Sequence, residues 1–138
     1  MTLQFVDTNV FLYAYDGSAG HRHDKALELV STLGRTRQGA LSVQVLQEFY
    51  VNAVRKIARP LAPDVALDRL QALSLWTVHT PTAADVLAAA EISDSASLSF
   101  WDAMIVRSAA SLGCATLWSE DLNAGQLIEG VTIRNPFV

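Results

Sequence analysis

Short apolar runs alternate along the chain with longer stretches in which apolar residues recur at helical spacing. Leu3-Gln4-Phe5-Val6 predicts a buried strand closed by Asp7. Residues 9–15 are mostly apolar and predict a buried helix, which Asp16-Gly17-Ser18-Ala19-Gly20 breaks. Residues 21–37 predict a helix with Leu27, Val30 and Leu33 on its inner face. Gly39-Ala40-Leu41 allows a second strand. Over residues 44–58, Leu46, Phe49, Tyr50, Ala53, Val54 and Ile57 keep the i, i+3, i+4, i+7 pattern until Pro60 ends it. Pro63 suits a first helical position and opens a helix to Leu73. Residues 75–79 predict a third strand, and Thr80-Pro81 leads into an alanine-rich helix to about Ala96. A further helix starts at Ser99 and stops at Gly113. Residues 115–118 and 131–133 predict the fourth and fifth strands.

Strands that alternate with helices imply an α/β sandwich, a short parallel sheet of about five strands covered on both faces. Sites in such sheets form beyond the carboxyl ends of the strands, at a switch point. Asp7 and Asp121 both stand just past a predicted strand. The 138 residues fit one domain, 1–138, and with 51% hydrophobic and 17% charged residues the chain can bury a core. No apolar run approaches the ~20 residues of a membrane helix, and the first residues lack a basic region, so the expected compartment is the cytoplasm, with no membrane partner. The single Cys114 lies in an apolar stretch and reads as a small core residue.

Four acids carry the candidate chemistry, and each has a plainer explanation. Asp7 stands between a strand and a helix, where Asp is a common N-cap. Ser99-x-x-Asp102 has the form of a capping box, but Leu98, Ile105 and Val106 surround Asp102 with apolar neighbours, and a buried carboxylate needs a partner. Asp121 follows Trp118-Ser119-Glu120 and reads equally as a loop or cap residue. Glu48 lies on the polar stripe Gln44-Glu48-Asn52-Arg55, opposite the apolar face, as an exposed helix surface also would.

Together the four fall into a known order. Phe5-Val6-Asp7-Thr8-Asn9-Val10 resembles the first motif of the PIN-domain nucleases, a strand ending in Asp and followed by a hydroxyl residue and Asn. The segment from Leu41 through Gln47-Glu48-Phe49-Tyr50 resembles the second, Ser99-Phe100-Trp101-Asp102-Ala103-Met104-Ile105 the third, and Leu117-Trp118-Ser119-Glu120-Asp121-Leu122 the fourth. The order and spacing hold over nearly the whole chain, and the resemblance is strongest to VapC-type toxins of bacterial toxin–antitoxin pairs. It implies a PIN-like three-layer sandwich and Asp7, Glu48, Asp102 and Asp121 as catalytic metal ligands. Thr8, Asn9 and Ser119 take supporting places, and Glu120 stands beside Asp121 as an alternative or assistant. It also implies a Mg²⁺-dependent endoribonuclease, with Mn²⁺ as a substitute, that leaves a 5′-phosphate and a 3′-hydroxyl. A homodimer, a VapB-type antitoxin and tRNA or rRNA loops as substrate follow from the same resemblance.

The chemistry is consistent with that donor set. Four carboxylates in one place stay ionised together only around a cation, and oxygen ligands select a hard ion such as Mg²⁺. Zinc is not suggested: His21 and His23 are spaced too closely for i, i+4 chelation and read as solvent-facing, and Cys114 has no partner. A net charge of −4 opposes RNA binding, but ten acids remain against ten bases once the four ligands are set aside. Arg35/Arg37 and Arg55/Lys56/Arg59 are candidate phosphate contacts or, equally, solvated helix surface. A haloacid-dehalogenase-type phosphatase would need an acid where Asn9 stands, and a receiver domain would need its phosphoacceptor where the third strand instead ends in His79-Thr80-Pro81. A PIN-like binding module would not need four carboxylates.

Overall fold

The computed structural model describes residues 2–138. The strands are β1 (Gln4–Val6), β2 (Gly39–Ser42), β3 (Thr77–His79), β4 (Thr116–Trp118), β5 (Leu127–Ile128) and β6 (Val131–Arg134). The helices are α1 (Thr8–Ala14), α2 (His21–Thr36), α3 (Val43–Arg55), α4 (Pro63–Leu73), α5 (Ala83–Ala96) and α6 (Phe100–Ser111), with a 3-10 turn at Gly17–Ala19. They form one sheet in the order β3-β2-β1-β4-β6-β5, parallel except for β5. The α/β sandwich with a largely parallel sheet expected from the alternation is therefore present, with six strands rather than about five.

One strand escaped the sequence reading. β5 runs antiparallel to β6 through a two-residue turn in which Glu129 (φ 52°) and Gly130 (φ 78°) are both left-handed. Paired positive φ values are what a tight hairpin demands, and Glu-Gly lacks the Asn-Gly form that would have announced it. A second difference concerns α2. Its buried face is Ala26, Val30 and Leu33, while Leu27 is 41% exposed. At about 100° per residue, Leu27 lies a quarter-turn beyond Ala26 and misses the sheet. A third concerns the histidines: His21 is exposed, but His23 is half-buried with its Nδ1 2.9 Å from the Tyr13 carbonyl.

The core lies between the sheet and the helices. Phe5, Leu41, Leu117 and Ile133 from four parallel strands are fully buried, with Val10 and Phe11 from α1 and Val106 from α6. Cys114 joins them as expected, and burial pushes its thiol up to about 11, which makes it unreactive. Where α2 enters β2, Gly39 leaves room for the Trp76 ring, which meets Phe11 edge-on at 5.3 Å. A Cβ on Gly39 would clash with the edge of that ring. Gly39→Ala is expected to lower stability by about 1–3 kcal/mol through overpacking, read as a drop in Tm.

A buried polar strut ties α5 to α6 and β3. The Asp85 carboxylate is 5% exposed and accepts from the Thr82 N–H (2.8 Å), Arg107 Nε (2.8 Å) and Ser111 Oγ (3.1 Å). His79 Nε2 lies 3.4 Å away, with its Nδ1 2.9 Å from Ser108 Oγ. The Thr82 amide and the Arg107 guanidinium hold Asp85 well below the usual carboxylate range. The sequence Ser–His–Asp resembles a hydrolase triad, but Ser108 is 1% exposed and has no room for a substrate. The strut is structural.

Candidate active site

The sheet brings the first and fourth motifs together. β1 is paired with β2 on one side and β4 on the other, so the chain order switches between β1 and β4. Asp7 leaves β1 at that point, and its N–H donates to the Trp118 carbonyl at the end of β4 (3.0 Å). Beyond Trp118 the chain turns outward through Ser119 and Asp121. This is the crevice in which ligands collect in open α/β sheets.

Ser119 is the hub of the two motifs. Its hydroxyl donates to Asp7 Oδ2 (3.0 Å) and accepts from the N–H groups of Asp121 (3.2 Å) and Leu122 (3.4 Å). Asp7 Oδ1 accepts from the Thr8 N–H (2.7 Å), so Asp7 does cap α1 while its other oxygen faces Ser119. Asn9 Nδ2 donates to Asp121 Oδ2 (2.8 Å). The capping reading of Asp7 and its place in the cluster are therefore both met by one side chain.

The second motif arrives on α3. Ser42 ends β2 and caps α3 through the Val45 N–H (3.3 Å), which starts the helix directly at the cleft. Glu48 comes next on the side facing α1, where Thr8 Oγ1 donates to its Oε1 (2.7 Å) and Gln44 Nε2 to its Oε2 (3.2 Å). The polar stripe of α3 thus lines the cleft through Gln44, Glu48 and Asn52, while Arg55 stands out in solvent. Asp102 enters from the first turn of α6. The Ser99 hydroxyl caps that turn by accepting from the Asp102 N–H (3.1 Å), a bond the Asp102 carboxylate does not share.

All four acids line one cavity of about 210 Å³ with Thr8 and Asn9, and Gln44, Asn52 and Ile105 complete it. Burial pushes Asp7 up to about 7 against the pull of the Thr8 and Ser119 hydrogen bonds, and the charges of Asp121 and Glu48 push the same way. Asp121 is raised as well, by burial first and then by Asp102, Glu120 and Glu48. Among the described residues, none of the four has a Lys, Arg or His partner at ion-pair distance. Nor do three of them converge tightly enough to enclose a cation by themselves.

Glu120 has a different task from its neighbour. Arg22 Nε donates to it at 2.6 Å and the Tyr13 hydroxyl at 3.1 Å, and it does not line the cleft. Arg22 lies over the rings of Tyr13 and Phe137, so Glu120 fastens the fourth-motif loop to α1, α2 and the C-terminal segment. Sequence reasoning missed this anchor and the part played by Gln44. The i, i+4 spacing of Gln44, Glu48 and Asn52 was the available signal for the latter.

Comparison with known proteins agrees with the fold. A family model described as PIN domain matches residues 5–127. Among solved structures, a toxin–antitoxin complex from Klebsiella pneumoniae superposes with a TM-score of 0.73 at 17% identity, covering 96% of this chain and 97% of that one. DNA-bound VapBC from Salmonella typhimurium gives 0.67 at 20% identity, covering 99% of each chain. VapC20 from Mycobacterium tuberculosis, described as a sarcin–ricin loop cleaving toxin, gives 0.67 at 22% identity and covers 91% of this chain and 96% of that one. A search among curated protein sequences finds no match.

Proposed function

The chain belongs to the PIN-domain family, and on that premise we propose that it is a divalent-metal-dependent endoribonuclease, the toxin of a VapBC-type pair. The observation that carries this reading is four carboxylates from four separate segments in one cleft, with no cation at ion-pair distance among the described residues. Carboxylates that repel one another in one cleft suit a bound divalent ion. The all-oxygen donor set fits Mg²⁺, with Mn²⁺ as a substitute. The absence of a closed cage fits too, because Mg²⁺ keeps several waters and is held by one or two carboxylates plus substrate phosphates.

In this reading Asp7, Glu48, Asp102 and Asp121 form the metal site, one or two of them binding the ion directly and the others through its waters. When bound, it supplies charge neutralisation at the phosphate and a water acidic enough to attack phosphorus near neutral pH. The protein's part is to fix the ligands. Ser119 and the Thr8 N–H aim the two oxygens of Asp7, Thr8 Oγ1 and Gln44 aim Glu48, and Asn9 aims Asp121. Partners of this kind tune activity by roughly 10–100-fold. Ser119→Ala is therefore expected to slow cleavage by about that factor with every carboxylate in place, as read from initial rates.

The relatives' names support a cognate antitoxin. A basic segment of such a partner would complement the acidic cleft and block it. We also propose a homodimer, supported by apolar side chains left at the surface, among them Leu67, Val86 and Leu87. No helix among the described residues is long and apolar enough to cross a membrane.

The test is incubation with single-stranded and hairpin RNAs, tRNA and rRNA loops included, in Mg²⁺, Mn²⁺ or chelator, with mapping of new 5′-phosphate ends. Cleavage that requires the metal and disappears in Asp102→Asn supports the reading. Cleavage that survives both chelator and that variant contradicts it.

A further inference from the structure

Trp101 is unusual among the aromatic residues because it is 64% exposed. It immediately precedes Asp102 in the first turn of α6, and its carbonyl accepts from Gln44 Nε2 (3.2 Å), the same amide that holds Glu48. The Trp101 backbone therefore borders the acidic cleft beside Gln44, and its exposed indole projects from the residue next to Asp102. Its aromatic neighbour is Phe100, edge-on at 5.2 Å and 77°, a contact that steadies the ring without covering both faces. The surface apolar residues of α5 do not explain its exposure. Asp85 bonds Arg107 and Ser111, so the start of α5 lies beside the end of α6. Val86 and Leu87 are then roughly 10 Å along the helix from Trp101, at about 1.5 Å per residue.

On the other side of the acids the cleft continues into a cavity of about 540 Å³ that shares Asn9 and Asn52 with it and is also lined by Lys56. Lys56 is exposed and has no carboxylate partner at ion-pair distance among the described residues. Gln44, Glu48, Asn52 and Lys56 follow at intervals of four along α3. They make a polar edge that rises roughly 18 Å while winding about 120° around the helix to its C-cap, with Trp101 beside its first residue, the four acids near its middle and the Lys56 ammonium at its end.

We propose that the RNA strand lies along this edge of α3, with an unpaired base on one side of the scissile phosphate stacked on Trp101 and a phosphate on the other side held by Lys56. The inference rests on the endoribonuclease reading above. A base on an aromatic face and a phosphate on a cation are how single strands are held without groove readout. The arrangement demands an unpaired nucleotide beside the cut, so it selects loops and single strands over duplex.

The test is a cycle between protein and substrate. An RNA cleaved by the parent chain is remade with an abasic nucleotide at each position flanking the cut, and each substrate is assayed with the parent, Trp101→Leu and Trp101→Phe. Trp101→Leu is expected to lower kcat/KM by roughly tenfold or more, with Trp101→Phe restoring most of it. One abasic position should cost the parent as much and cost Trp101→Leu nothing further. Lys56→Gln should weaken the dependence of log kcat/KM on log salt by about 0.7, the value for one single-strand phosphate contact. If the abasic penalty is unchanged in Trp101→Leu, the stacking is wrong. If that variant instead splits a dimer in light scattering and shows no coupling to the abasic site, the indole faces a second protein and the proposal is overturned. A chain that cuts no RNA removes the endoribonuclease reading and this inference together, whereas cleavage without coupling removes only this one.

Discussion

Asp7→Asn is expected to abolish RNA cleavage and yet to melt higher than the parent chain at pH 8 in chelator. Asp7 is pushed up to about 7 by burial, against about 3.9 for an unfolded aspartate. Between those values the folded chain holds a proton that the unfolded chain has released. Stability therefore falls as pH rises through the window from about 4 to 7, and the whole penalty is present above it. A shift of about three units bounds that penalty at about 4 kcal/mol. Asparagine removes the charge and keeps an oxygen for the Thr8 N–H, and it ranks with Asp as an N-cap. The bond from Ser119 to Asp7 Oδ2 is lost, because the Ser119 oxygen already accepts from the Asp121 and Leu122 N–H groups, and that loss offsets part of the gain. Recovery of about 1–2 kcal/mol would raise Tm by roughly 3–8 °C in a chain of this size. At pH 5 the parent's Asp7 is already neutral and the two curves should nearly coincide. Mg²⁺ should stabilise the parent at pH 8 and the variant much less. Cleavage should fall by at least about two orders of magnitude, the loss of several kcal/mol of transition-state stabilisation. Lower melting at both pH values with cleavage intact would leave Asp7 only its capping role.

Asp85→Ala is expected to be the most damaging polar substitution outside the cleft. It strips Arg107, Ser111 and the Thr82 N–H of their shared acceptor in one step. Removing one partner of a fully buried pair costs about 3–5 kcal/mol, and Arg107, 35% exposed at its side chain, can partly rehydrate. A loss of about 2–4 kcal/mol is expected, measured by urea unfolding. Asp85→Asn, which retains an acceptor oxygen, should lose less. The folded pKa of Asp85 is depressed, so its contribution is present above about 3.9 and is lost as pH falls below that value towards the folded one. The parent should therefore lose stability steeply below about pH 4, and Asp85→Ala should flatten that limb. Divalent-ion binding by the variant that remains folded should be unchanged, because the strut and the cleft share no side chain. An Asp85→Ala chain as stable as the parent would show the strut to be dispensable.

The contrast between these two aspartates marks what the sequence could and could not reveal. The strands were legible because apolar runs such as Phe5-Val6 and Leu117-Trp118 are bounded by turn and cap residues. The four acids were legible only as an ordered set, since Asp7, Asp102 and Asp121 each sit where a cap or loop residue would. Glu48 shows why: a polar helix stripe looks the same in sequence whether it faces water or a cleft, and only the β2-to-α3 junction at Ser42 settles which. Ser119 was expected in support, but its threefold bonding depends on β1 and β4 being neighbours in the sheet. The Asp85 strut joins residues 22 and 26 positions apart on different helices, and no local pattern encodes that. Leu27 and β5 failed for geometric reasons, a quarter-turn of helix and a hairpin without Asn-Gly.

The most direct test of the four-carboxylate centre is Mn²⁺ binding followed by electron paramagnetic resonance at pH 8, where Asp7 is ionised. The parent chain should bind Mn²⁺ in competition with Mg²⁺, and Asp7→Asn and Asp102→Asn should each bind it far more weakly. Glu120→Gln, altered at a residue fastened to Arg22 and Tyr13 outside the cleft, should bind as the parent does. Parent protein that leaves Mn²⁺ free in solution, or Asp7→Asn and Asp102→Asn chains that bind it undiminished, would contradict the account.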